Sequence, residues 1–138
     1  MNEFKRVYHK SRDSNDIMRN DKGIFTFTRP SINIVGGSYY FMLEIAPKNT
    51  FITLDQFSAF EQLFPNHDVT RYLGGENYEV LDKLIADKLR DTYDSILYKT
   101  PTVGSRIGEE WVILNNSIIK ATKYLGAYDD AIAYATSI

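Results

Sequence analysis

The chain has 138 residues, 43% of them hydrophobic, and a formal net charge of -2 at pH 7. That length suits one domain, residues 1–138, with a core of its own, and the apolar content excludes a disordered chain. The charge excludes a global field toward nucleic acid or anionic lipid, and the absence of cysteine excludes disulfides, thiolate catalysis and sulfur-rich metal sites.

The first element is "FKRVYHKS", a weakly alternating strand. Val7, His9 and Ser11 share one face, and Arg6, Tyr8 and Lys10 the other. "SRDSNDIMRNDKG" is rich in turn formers and reads as a loop or a short helix around Ile17 and Met18. "GIFTFTRPS" is a clear strand, with Phe25 and Phe27 on one side, Thr26 and Thr28 on the other, and Pro30 as its end. "INIVGGSYYFMLEIA" holds one or two strand segments broken at Gly36-Gly37. The run from Tyr39 to Ala46 is apolar on both faces apart from Glu44, so a covered strand is expected there.

"FITLDQFSAFEQLF" reads as a short segment leading into a helix, with Thr53 and Gln56 at capping-box spacing and Pro65 beyond the end. The strongest helical pattern spans Tyr78 to Thr92. Leu81, Ile85 and Leu89 recur on one face, Asp82, Lys83, Asp87 and Arg90 cover the other, and Asn77 is a cap. "YDSILYK" is a strand, "TPTVGSRIG" a loop, "EEWVILN" a strand, "SIIKATKYL" a further strand, and "AYDDAIAYATSI" a terminal helix. Strands at both ends enclosing helices give an α+β domain.

Phosphate-loop, dinucleotide-fingerprint and nucleophile-elbow motifs are absent. Gly36-Gly37 and Gly74-Gly75 read as turns or bulges. His9 and His67 lie far apart without ligand spacing, so no metal site is expected. No stretch approaches the roughly 20 apolar residues of a membrane helix. The N-terminal segment has no apolar signal core, and the expected location is cytoplasmic. What remains is a dispersed polar set on strands: His9, Thr26, Thr28, the pair Tyr39-Tyr40, and the pair Glu109-Glu110.

In order and setting, "VYHKS … GIFTFT … YDSILYK … GEEWVILNNSIIK" resembles the mono-ADP-ribosyltransferase superfamily, closest to small members of its His-Tyr-Glu, diphtheria-toxin-like branch. The resemblance spans roughly residues 5 to 120, and its C-terminal piece is the most specific. It implies a split β-sandwich with a few flanking helices, and NAD as the substrate that supplies ADP-ribose. The implied acceptor is a protein, with nucleic acid as the alternative, and the implied setting is a phage or bacterial effector. A catalytically inactive member that binds and inhibits a partner is the competing expectation, because fold does not fix function.

The resemblance also implies roles. Glu110, directly before the aromatic Trp111, matches the family glutamate, which bonds the nicotinamide ribose and stabilises the charge that builds as the glycosidic bond breaks. His9 matches the histidine that orients the adenosine ribose. Thr26 and Thr28 match hydroxyls that support the cofactor or the glutamate. Tyr40 is the expected nicotinamide-stacking ring, with Tyr39 and Tyr8 as rivals, and Arg106 is an expected target contact. Lys10 stands where the family has glycine; the resemblance implies that its backbone binds the nicotinamide amide of the cofactor, while its Cβ and long side chain crowd the site. "GEEW" departs from Glu-x-Glu, which argues against arginine as the acceptor.

Overall fold

The computed structural model describes residues 4–17, 22–30, 38–68, 77–101 and 109–137. Met18, both glycine pairs and Arg106 lie outside these residues, so the readings that fall on them stand as made. The elements in chain order are β1 (Lys5–Ser11), β2 (Ile24–Phe27), β3 (Tyr39–Ile45), β4 (Thr50–Thr53), α1 (Gln56–Leu63), α2 (Asn77–Leu89), β5 (Ser95–Tyr98), β6 (Glu110–Ile113), β7 (Ile119–Gly126) and α3 (Tyr128–Thr136). A 3-10 turn, Asn116–Ile118, links β6 to β7. The architecture is α+β, with the described strands in one seven-stranded sheet of order β4-β5-β6-β2-β1-β3-β7. Every neighbouring pair is antiparallel except β4 with β5. No helix among the described residues is long and apolar enough to cross a membrane.

The ladders are uneven. β1 pairs with β3 from Lys5↔Ile45 to Ser11↔Tyr39, and β2 pairs with β6 from Ile24↔Ile113 to Phe27↔Glu110. Between them, β1 and β2 share the single registered pair Tyr8↔Phe27. The sheet therefore has a seam at β1/β2, flanked by well-paired halves.

Alternation along each strand sorts side chains into two cores. On one face Val7, Ile24, Phe41, Leu43, Leu97, Trp111 and Ile113 form a cluster that crosses the seam. On the other, Ile96, Tyr98 and Val112 meet Ala59 and Phe60 of α1 and Leu81, Ile85 and Leu89 of α2, with Phe25 and Leu114 alongside. The expected separation of Phe25 from Thr26 is thus observed.

Three local readings change. The cap of α1 is Asp55, whose Oδ1 accepts the Ser58 N–H at 2.8 Å; Thr53 instead ends β4, and Gln56 is the first helical residue. Asp55→Ala is expected to lower stability by about 1 kcal/mol, read from thermal or urea unfolding, because a helix N–H loses its acceptor. α2 begins at Asn77 itself and ends at Leu89, whose carbonyl takes the N–H groups of Thr92 and Tyr93. Finally, Asp82, read as part of the solvated face of α2, is half-buried.

Gly23, which leads into β2, has φ +97°, and a Cβ there would sit 2.6 Å from Val112 Cγ1 and 3.0 Å from the Ile113 carbonyl oxygen. Both the backbone conformation and the close approach to β6 call for glycine. Gly23→Ala is expected to cost roughly 1–3 kcal/mol in the same unfolding measurement.

Candidate functional site

The strand registers align one residue from each strand into a row: Thr53, Tyr98, Glu110, Phe27, Tyr8, Met42 and Lys123. From Thr53 to Met42 every member is buried. Glu110, at 3% exposure, therefore occupies a place in the middle of the sheet that packing alone would give to an apolar side chain. A carboxyl kept in such a position at a cost in stability is a candidate functional group.

The two acids of "GEEW" divide as strand alternation requires. Glu109 lies outside the start of β6, its Oε2 3.4 Å from Lys99 Nζ on the surface. Such an exposed pair contributes little to stability. Glu110 turns inward, toward the helices, with Val112 on the same side. Gln56, itself 2% exposed, donates from Nε2 to Glu110 Oε1 at 3.3 Å. Burial pushes the Glu110 carboxyl well above its ordinary range, and the nearby Asp82 pushes it in the same direction.

Thr26 and Thr28 brace the strand on either side of Glu110. The Thr26 hydroxyl donates to the Trp111 carbonyl at 2.8 Å, and Thr28 Oγ1 accepts the Glu109 N–H at 3.1 Å. The Thr28 N–H adds a 3.1 Å bond to the Glu109 carbonyl beyond the end of β2. These threonines position the segment that carries Glu110.

His9 is 3% exposed and lies at the seam, its Nδ1 2.8 Å from the Phe25 carbonyl oxygen. A carbonyl can only accept, so Nδ1 carries the proton and the ring orientation is fixed. Burial lowers the His9 pKa, while the Phe25 carbonyl and Asp16 act in the opposite sense. The imidazole is neutral at pH 7.

His9 follows Tyr8 and so stands one residue past the row that contains Glu110, two strands away. Ordinary strand spacing puts their Cα atoms on the order of 10 Å apart. The fold therefore brings β1, β2 and β6 side by side. Alternation sends the side chains to different faces: His9 goes with Val7 into the cluster that crosses the seam, and Glu110 goes toward α1 and α2.

Tyr40 is 2% exposed, with the Tyr128 ring at 6.0 Å edge-on and Lys10 Nζ 5.8 Å from its ring centroid. Lys10 is half-buried and packs within the same aromatic group. Of the two rivals, Tyr8 is buried and Tyr39 is exposed, the latter 6.5 Å from Tyr124. Tyr39 thus presents its ring at the surface and Tyr40 does not. Among the described residues no group of three or more His, Asp or Glu is arranged to hold a metal.

No family model matches the chain, and no curated protein matches it. A solved structure described as "Crystal structure of an anti-CRISPR protein" superposes with a TM-score of 0.50 over 88% of this chain and 95% of that chain, at 14% identity. The likeness is one of fold.

Three residues at the site were not singled out in the sequence: Gln56, Tyr98 and Asp82. Gln56 was assigned to a helix cap and Tyr98 to strand packing. Asp82 falls four residues before Ala86, which is fully buried, so it flanks the stripe that α2 lays on the sheet. Burial raises the Asp82 carboxyl to about 7, with Lys22 opposing the shift and Glu79 adding to it.

Proposed function

We propose that this chain is an ADP-ribosyltransferase-like domain that binds NAD, breaks its nicotinamide–ribose bond and transfers ADP-ribose to a macromolecular acceptor, a protein first and nucleic acid second. The observation that carries the reading is the strand order. Residues 9, 26 and 110, a hundred positions apart at the extremes, lie on the three consecutive strands β1, β2 and β6 at the centre of the sheet. The ladder between β1 and β2 has a single registered pair, and a split of the sheet along this line is what the reading requires. The anti-CRISPR neighbour supports the outline of the fold and nothing narrower.

In this reading the Glu110 carboxyl bonds a ribose hydroxyl while the Gln56 N–H holds its Oε1. Burial raises the Glu110 pKa, whereas positive charge that grows on the ribose as the glycosidic bond breaks favours the carboxylate. Thr26 and Thr28 hold the backbone of β6 rigid beneath it, and the His9 ring is fixed by Phe25.

A second reading is a binding protein on the same fold that inhibits a partner without chemistry. The burial of both His9 and Glu110, and their opposite facing, favour it. The two readings part in one measurement. The wild-type chain is incubated with millimolar NAD, and released nicotinamide is quantified beside calorimetric NAD binding. The transferase reading expects both signals; binding heat absent at millimolar NAD, together with no nicotinamide, would overturn it in favour of the second.

A further inference from the structure

The inward stripe of α1 begins on an amide. Gln56, Ala59 and Phe60 are the buried residues of that helix, at the i, i+3, i+4 spacing of one helical face, and the last two pack in the core beneath it. Gln56 is 2% exposed, at a place that packing alone would give to an apolar side chain. An amide buried there destabilises the fold unless hydrogen bonds hold it. Its Nε2 donates to Glu110 Oε1 at 3.3 Å, from the first residue of α1 to the first residue of β6.

The approach of the two residues is fixed by the surrounding elements. The ladders set Thr53 opposite Tyr98 and Tyr98 opposite Glu110, so β4 brings the start of α1 to the row that holds the carboxyl. Asp55 Oδ1 closes the first turn of α1 on the Ser58 N–H at 2.8 Å, and Gln62 Nε2 returns to Thr53 Oγ1 at 3.1 Å.

We infer that Gln56 is the positioning residue of Glu110: its side-chain amide fixes the orientation of the carboxyl and favours the charged form without neutralising it. The effect on the carboxyl rests on the hydrogen bond, and its consequence for turnover rests on the transferase reading. A carboxylate only accepts and an amide N–H only donates, so the bond is strongest when Glu110 is ionised. At 3.3 Å it is longer than the roughly 2.8 Å of a charge-assisted bond, so it strengthens as the carboxyl takes on charge. A lysine or arginine in place of Gln56 would hold the carboxylate in an ion pair and weaken its field at the ribose. The neutral amide leaves the negative charge to act on the positive centre that forms as the glycosidic bond breaks.

The titratable groups around the pair come from each packed element. Asp82 on α2 opposes ionisation of Glu110, Tyr98 stands opposite on β5, and Asp55 caps α1. Lys22 and Glu79 act on Asp82 in opposite senses, and from β2 the neighbour of Glu110 is the apolar Phe27. The bond from Gln56 therefore works against burial and Asp82.

The test is an NMR titration of the full chain without NAD, from about pH 5 to about pH 9, that follows the Glu110 carboxyl carbon and the Gln56 side-chain amide. The amide resonances of Gln56 are expected to move with the same midpoint as the Glu110 carboxyl, and to lose that step in Glu110→Gln. In Gln56→Leu the midpoint is expected to rise by about one unit. Gln62→Leu, which removes the bond from the same helix to Thr53, should leave it unchanged. In turnover, Gln56→Leu is expected to release nicotinamide about tenfold more slowly near pH 7, with KM for NAD little changed and the loss recovered as pH rises through the shifted midpoint. A purely structural role would lower stability and leave the midpoint and the pH profile in place. A Gln56 amide that stays still while Glu110 titrates, an unmoved midpoint in Gln56→Leu, or a carboxyl that never ionises below the pH of unfolding would each overturn the proposal. The first and last of these are read on the wild-type chain, so they decide the matter even where the variant fails to fold. A wild-type chain that shows the coupled midpoint but releases no nicotinamide would remove the transferase reading and leave the role of Gln56 toward the carboxyl standing.

Discussion

Glu110→Gln is expected to lower nicotinamide release by about 10²–10³-fold while the chain stays folded. The substitution keeps the shape of the side chain and an oxygen for the Gln56 N–H, so the local packing survives. What it removes is the ability to become negative as charge builds on the ribose. An amide retains a hydrogen bond to a ribose hydroxyl, so NAD affinity should fall far less than turnover. The opposite split is expected of His9→Ala, whose neutral imidazole orients rather than ionises: NAD binding weakens more than turnover. Steady-state nicotinamide release and calorimetric NAD affinity, measured on the same preparations, read both effects. Equal turnover in Glu110→Gln and wild type would remove Glu110 from the mechanism. Gly23→Ala serves as a control for destabilisation, because its added Cβ meets Val112 and not Glu110.

Raising the pH from about 5 to about 8 is expected to destabilise the wild-type chain by about 3 kcal/mol through Asp82, with Glu110 acting in the same direction, and Asp82→Asn and Glu110→Gln each recover a part. The sign follows from which state holds the proton. Asp82 titrates in the folded chain at about 7 against an ordinary value of 3.8, and Glu110 is raised well above 4.5. Below the ordinary value both states are protonated and nothing changes. Between the ordinary and the raised value the folded chain keeps a proton that the unfolded chain has lost, so stability falls as pH rises. His9 works in the other direction on the acid side, since its pKa is lowered by burial and its protonation on acidification favours unfolding. The Asp82 part of the decline should therefore fall between its ordinary value of 3.8 and about 7, offset by His9 below about pH 6.5. Urea unfolding at a series of pH values measures it. A flat profile in wild type, or one that Asp82→Asn does not alter, would show that these carboxyls are ionised and solvated in the folded chain.

Much of the fold was legible in the residues. "IFTF" alternates so plainly that Thr26 and Phe25 could be assigned to opposite faces, and both lie there. "EEWVI" likewise separates Glu109 from Glu110, because a strand has a side-chain period of two and Val112 marks the inward face. The main helix was legible from Leu81, Ile85 and Leu89, and its actual end at Leu89 falls short of Thr92 because the last carbonyls are taken by turn N–H groups. The cap of α1 was misplaced by two residues, since Thr53 and Asp55 both satisfy the composition of a cap and only the backbone path decides which side chain meets a helix N–H.

The sequence by itself determined most of the strands, though not β4, the face each of their side chains takes, and that the two acids of "GEEW" point to opposite sides. The tertiary structure decided who the neighbours are. A helical repeat specifies a buried stripe but not the surface it will cover, so nothing local distinguishes Asp82 from the solvated Asp87. Strand periodicity specifies a face but not a partner strand, so Tyr98 and Glu110 come opposite each other only through the order β5-β6-β2-β1. Long-range pairing and helix docking are set by the fit of whole faces, and that fit is what places Gln56, Tyr98 and Asp82 around Glu110.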